Sequence, residues 1–138
     1  IIASIHSSFA LTKQEMTKRI VTALTSHPKV KILGHPTGRL LGKREGYEAD
    51  WKEIFTVCKG KHIALEINAS PYRLDLTDAL VYDAMKLGCF FSINTDAHAV
   101  ADMEMMKYGV SVARRGWLQK DDIINSFGYN DIKKWMGL

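Results

Sequence analysis

Four short apolar runs punctuate the chain: Ile1 to Ile5, Val30 to Leu33, Ile63 to Ile67 and Phe90 to Ile93. None alternates apolar with polar residues as a half-solvated antiparallel strand does. Each therefore predicts a parallel strand buried on both faces. Helical spacing fills the intervals. Thr12-Lys13-Gln14-Glu15 is a capping-box signature, and Met16, Ile20, Ala23 and Leu24 then mark one face of a first helix. Trp51, Ile54, Phe55 and Cys58 mark a second. Leu80, Ala84 and Leu87 mark a third that starts after Asp75 and stops at Gly88. Met103, Met106, Val110 and Ala113 mark a fourth, and two short helices are predicted around 122–127 and 131–136. Met103, Met105 and Met106 read as core filler, and Trp51, Trp117 and Trp135 as helix-packing residues. The order β-α-β-α-β-α-β-α predicts an α/β fold of parallel β/α units, either an open doubly wound sheet or a piece of a barrel.

The polar residues fall in a pattern of their own. The four predicted strands run into His6, into Gly34-His35, into Glu66-Ile67-Asn68, and into Asn94-Thr95-Asp96-Ala97-His98. The steps from His6 to His35, Asn68 and Asp96 are 29, 33 and 28 residues, about one β/α unit each. Parallel strands bring their C-terminal ends to one face, so these residues are expected to converge where barrel enzymes place their chemistry. His6, His35, Asp96 and His98 form a candidate metal set whose nitrogen and carboxylate donors suit zinc, manganese or iron. Glu66 and Asn68 are candidates for ligands or for supporting partners of the ligands, and Glu66, inside a strand, needs a partner such as Arg or Lys. His27, beside Pro28 in a turn, and His62, at the start of a strand, read as structural.

The loop from Gly34 to Gly46 carries four glycines with Arg39, Lys43 and Arg44. It is not a Walker loop: Gly38 and Gly42 enclose three residues, and Arg44 stands where Ser or Thr is required. Two readings stay open, a mobile surface loop and a basic loop that grips phosphate, with Arg73, Arg114 and Arg115 extending the patch. No G-x-S-x-G elbow is present, and neither Cys58 nor Cys89 has a neighbouring His, so activated water on a metal is expected as nucleophile rather than a protein side chain.

Composition narrows the setting. Hydrophobic residues at 46% and charged residues at 25% exclude a disordered chain. No run reaches the roughly 20 apolar residues of a membrane span, and Ile1-Ile2-Ala3-Ser4 is not a signal peptide. A net charge of +4 permits a polyanionic partner. Two cysteines outside any C-x-x-C pair fit a reduced, cytoplasmic location.

At these residues the chain resembles a known family. Gly34-His35-Pro36-Thr37-Gly38-Arg39 and Asn94-Thr95-Asp96-Ala97-His98 are similar to late motifs of the PHP (polymerase and histidinol phosphatase) superfamily. Ala3-Ser4-Ile5-His6-Ser7, Leu65-Glu66-Ile67-Asn68-Ala69, Arg73-Leu74-Asp75-Leu76, Tyr108-Gly109-Val110 and Ala113-Arg114-Arg115-Gly116-Trp117-Leu118 narrow the resemblance to the PHP domain of bacterial and archaeal family X DNA polymerases. The resemblance implies that residues 1–138 are the C-terminal half of a distorted (β/α)7, TIM-like barrel holding up to three divalent metal ions. It implies a metal-dependent 3′-5′ exonuclease active on DNA ends in repair. His6 and His35 match two histidine ligands, and Asp96 and His98 match the final D-x-H pair. Asn68, Arg39 and Arg73 match positions that support ligands or contact phosphate. The family's H-x-H motif is absent, so the missing ligands are expected upstream of Ile1, together with a polymerase domain. Glu66 is not the family's missing Glu ligand. The rival readings are a PHP phosphatase acting on small phosphomonoesters, a DNA-binding module with a decayed metal site, and a generic metal amidohydrolase.

Overall fold

The computed structural model describes residues 1–138, and its elements follow the expected alternation. The strands are β1 (Ile2–Ala3), β2 (Ile32–Leu33), β3 (Ala64–Asn68) and β4 (Phe91–Asn94). Helices α1 (Lys13–Thr25), α2 (Trp51–Lys61) and α3 (Asp78–Lys86) connect them, and α4 (Met106–Arg115) and α5 (Tyr129–Met136) follow. All pairings are parallel, in the spatial order β1-β2-β3-β4. A doubly wound sheet reverses direction at a switch point, and this sheet adds every strand on the same side. The arrangement is therefore that of part of a TIM-like barrel. β3 is buried at all five positions, which explains its continuous apolar run.

Local chemistry sets the helix boundaries. The Thr12 hydroxyl accepts from the Glu15 N–H, and the Glu15 carboxylate accepts from the Thr12 N–H, so the capping box forms. Thr77 caps α3 through the Leu80 N–H, and Gly88 follows that helix at φ +81°, a conformation that favours glycine. Between α1 and α2 an aromatic ladder runs Phe9, Tyr47, Trp51, Phe55, with the Arg44 guanidinium 3.8 Å from the Phe9 ring centre. It ties the loop after β1 to the loop after β2.

The fourth helix departs from expectation. Met103, Met106 and Val110 are exposed, and the buried face is Gly109 and Ala113. Two causes combine. Residues Val100–Met105 form a 3-10 helix, so the phase counted back from Ala113 at 3.6 residues per turn is lost. The helix also approaches the sheet through glycine: a Cβ on Gly109 would lie 2.5 Å from Ile93 and 2.8 Å from Ala69. Small residues mark that contact, so the large apolar side chains point outward. Met103 and Met106 are thus not core filler, and Trp117, at 71% exposure, is not a packing residue. In α3 Val81, with Ala84, is the buried position, while Leu80 and Leu87 pack at its margin. The segment expected to be helical at 122–127 is a pair of 3-10 turns, Lys120–Asp122 and Ile124–Ser126.

One sheet edge is covered. Ile123 pairs with Phe91, and the Asn125 side-chain amide accepts from the Ile93 N–H at 2.8 Å and donates to the Ile93 carbonyl at 3.0 Å. A side chain stands where the next strand would pair. The other edge, β1, carries the exposed Ile1 and Ile2. No helix is long and apolar enough to cross a membrane.

Gly109→Ala tests the close approach of α4. Alanine in a helix interior normally gains about 1 kcal/mol over glycine. Overpacking against Ile93 and Ala69 costs about 1–3 kcal/mol, so a net loss of stability of about 1 kcal/mol is expected in urea denaturation. A stabilised variant would show that the helix stands further from the sheet.

Candidate active site at the strand ends

Glu66 is the centre of the polar end of the sheet. It lies within β3 and is buried. No lysine or arginine neutralises it, contrary to the expectation of a cationic partner. One oxygen accepts from the His35 N–H at 2.5 Å and from the Asn68 amide at 3.3 Å. The other accepts from the Asn94 amide at 2.8 Å. Neutral donors from three strand ends thus satisfy one carboxylate, as a buried anion requires.

Around this centre the expected residues gather. The rings of His6 and His35 meet edge to face with centroids 5.0 Å apart. Asn68 links Glu66 to Asp96, donating to the Asp96 carboxylate at 3.3 Å. Arg73 reaches the same Asp96 oxygen at 3.4 Å. The His98 Nδ1–H donates to the Asp96 carbonyl, 2.7 Å away, so in the neutral imidazole Nε2 keeps its lone pair. His35 and Asp96 adopt φ of +28° and +56°, unusual for residues with a Cβ, at the ends of β2 and β4.

His35 carries the clearest sign of a missing partner. Its Nδ1 is buried without any hydrogen bond. Burial first, then the Arg73 charge, holds its pKa below the usual imidazole value, with Glu66 opposing. The ring is therefore neutral at pH 7 with a free lone pair, the form that binds metal. The donor chemistry of His6, His35 and His98 fits a divalent transition metal. Within this chain, however, no three His, Cys, Asp or Glu side chains converge closely enough to hold an ion by themselves. His6, His35, Asp96 and His98 share a face and do not form a closed donor set.

The glycine-rich loop is not a free phosphate cradle. The N–H groups of Thr37 and Gly38 donate to the Asp75 carboxylate at 2.9–3.1 Å, so an internal anion fills the place of a phosphate. Arg39 donates to the carbonyls of Arg73 (2.7 Å) and Leu74. Arg44 donates twice to the Gly38 carbonyl, at 3.0 and 2.7 Å. Both guanidinium groups hold backbone. Arg115 is paired with Asp78 on α3, and neither it nor Arg114 lines the strand-end cavity. Lys43 and Arg73 do line it, with Ser70, Tyr72, Asp96 and His98, around a volume of about 500 Å³.

Asp75 was missed as a site residue. The clue was available: a carboxyl between Leu74 and Leu76 poses the same question of a partner that Glu66 poses. Asn94 was likewise passed over as part of the D-x-H string. His27, which accepts from the Lys29 N–H, and His62, left-handed at the end of α2, are structural as expected. The two thiols offer no nucleophile: both are buried, and burial raises the Cys89 pKa to about 11 and that of Cys58 further.

Fold and site define a class: a parallel β/α chain, part of a TIM-like barrel, with a polar site at the C-terminal strand ends. No family model matches it. The chain is 41% identical, over 136 residues and 99% of its length, to the DNA polymerase/3′-5′ exonuclease PolX of Bacillus subtilis (strain 168). It spans 24% of that protein's length. That likeness bears out the resemblance carried by its motifs.

Asp75 gives this site a measurable pH signature. Burial raises its pKa to about 6, against the opposing pull of the Thr37 and Gly38 bonds and the Arg39 charge. A carboxyl whose folded pKa exceeds its unfolded value favours the fold while protonated, and that contribution is lost as pH rises through the folded pKa. Relative to Asp75→Asn, the native chain should therefore lose stability as pH rises from about 4 to about 6, and the difference should level off above that. Urea midpoints for both chains across that range check this, and a pH-independent difference would contradict it.

Proposed function

We propose that this chain supplies part of a metal-dependent phosphodiesterase site of PHP type, which in a longer family X polymerase removes nucleotides from DNA 3′ ends. The observation that carries the reading is the gathering of His6, His35, Asp96 and Asn68 on one carboxylate-centred network, in a chain similar to a named 3′-5′ exonuclease. In this reading residues 1–138 are the C-terminal portion of the PHP domain, and the remaining ligands come from outside this chain. The partner is DNA.

His6, His35, Asp96 and His98 would hold the divalent ions, zinc or manganese by donor type and iron as an alternative. When bound, such an ion acidifies water and offsets charge on the scissile phosphate. The chain's own groups do the rest. Glu66 fixes the His35 backbone and, through Asn68 and Asn94, the register of three strand ends. Arg73, shared with Asp96, and Lys43 face the cavity where a phosphodiester would lie. Arg39 and Arg44 serve the site indirectly, by fixing the loop that carries Lys43. Water is the nucleophile, since the cavity presents no reactive Ser or Cys with an adjacent base.

In the longer polymerase, Asp96→Asn and His98→Ala should each lower 3′-5′ exonuclease turnover on a labelled oligonucleotide by more than about 100-fold, the upper range for loss of a mere supporting partner. Glu66→Gln should cost about 10- to 100-fold. Polymerase activity should be unchanged in all three. Full exonuclease activity in the Asp96 and His98 variants would remove the assignment. Salt-dependent DNA binding with no stoichiometric metal by elemental analysis would favour a non-catalytic DNA-binding module instead. The 138-residue chain alone should bind metal weakly and turn over little, and strong turnover by it would contradict a shared donor set.

A further inference from the structure

We propose that Tyr72 is a stacking platform for the terminal nucleobase of a DNA 3′ end, with Lys43 holding the adjoining phosphate. This rests on the proposed DNA-processing role and names a subsite within it.

Tyr72 is 70% exposed at the rim of the cavity that also holds Lys43, Arg73, Asp96 and His98. An exposed tyrosine alone is ordinary. This one is held unusually firmly. Its carbonyl accepts from the Leu41 N–H at 2.8 Å, which joins its turn to the loop bearing Lys43. The turn itself is closed by the Arg73 and Leu74 N–H groups, both donating to the Ser70 carbonyl, and by the Ser70 N–H donating to Asn68. Leu74 takes φ +46° and Arg39 clasps the Arg73 and Leu74 carbonyls. A rigid backbone thus presents an aromatic ring with no aromatic partner and no cation over it, while Arg44, Lys86, Lys107 and Lys133 each lie over other rings.

The second half of the subsite is Lys43. It lies next to Gly42, at the tip of a tight turn closed by the Leu40–Arg44 backbone pair, and it has no ion pair. The acidic groups facing it are already engaged. Asp96 is paired with Arg73, and the Asp102 carboxylate accepts from the His98 and Ala99 N–H groups. Lys43 is therefore the cavity's cation without an ion pair. A flat apolar ring beside a free cation, both on rigid turns, matches a nucleotide at the end of a single strand: the base stacks on the ring and the phosphate meets the amine. Leu40, Leu41 and Met105 complete an apolar floor that tolerates any base.

Binding of this chain to a short single-stranded oligonucleotide carrying 2-aminopurine at its 3′ terminus tests this. The native chain and Tyr72→Phe should quench the terminal probe and should not quench the same probe placed internally. Tyr72→Ala should bind roughly five- to one-hundredfold more weakly and lose the quenching. An oligonucleotide whose 3′ residue is abasic removes the base instead of the ring. The native chain should bind it as weakly as Tyr72→Ala binds the normal end, and Tyr72→Ala should not distinguish the two. Lys43→Ala should weaken both substrates equally and reduce the salt dependence. Equal binding and quenching by Tyr72→Ala and the native chain overturns the inference while the DNA-end reading stands. Absence of any oligonucleotide binding by the native chain also overturns the inference, whereas the exonuclease reading stands or falls with the Asp96 and His98 variants of the longer polymerase.

Discussion

Two buried carboxylates without an ion pair hold this molecule's polar end together. Glu66 and Asp75 both accept backbone N–H groups of residues 35–38, Glu66 from His35 and Asp75 from Thr37 and Gly38. A buried charge is costly unless fully hydrogen-bonded, so each carboxylate fixes the loop that relieves it. That loop sets the His35 ring beside His6 and carries Arg39 back to the turn at Arg73 and Leu74. The positions of the β2 end, the β3 end and the following turn therefore depend on one another. Burial raises the Asp75 pKa to about 6 in spite of its N–H donors and the Arg39 charge.

The sheet order explains why such a network can form. Consecutive strands are neighbours, so every strand end lies next to the one before it. Asn68 and Asn94 are directly opposite each other in register and flank Glu66 from adjacent strands. A slip of one residue would turn Glu66 to the other face of the sheet and break its contacts with His35 and Asn94, while Asn68, on the same strand, would move with it. The buried carboxylate thus specifies register as well as loop position. Asn125 acts on the far side of β4, where its amide bonds both the N–H and the carbonyl of Ile93 and ends the pairing.

What could be read from the sequence was what depends on period and on punctuation. The strands, the Thr12 capping box, the Gly88 stop and the gathering of His6, His35, Asn68 and Asp96 all follow from the place of residues along a regular repeat. The failures have a common cause, which is contact that no periodicity encodes. Gly109 and Ala113 face the sheet because the backbone comes close there, so the large residues at 103, 106 and 110 turn outward. Arg39 and Arg44 looked like a phosphate patch because charge is visible in a sequence and its partner is not. The carbonyls they bind are identical in every residue.

The internal use of those arginines changes what the net charge of +4 implies. A basic loop beside a candidate active site invites the reading that each cation meets a phosphate. Here the loop's N–H groups face Asp75, two guanidinium groups face carbonyls, and Arg73 is shared with Asp96. Only Lys43 remains unpaired at the cavity. One free lysine gives little affinity for a duplex backbone, whose binding grows with the number of phosphates neutralised. On the proposed DNA reading, recognition at this cavity would have to draw on something besides charge, and the exposed Tyr72 ring is the group at hand to supply it. On that reading, a site poor in free charge and furnished with one aromatic surface would discriminate ends from interiors, because only an end offers a base that can leave its stack at low cost.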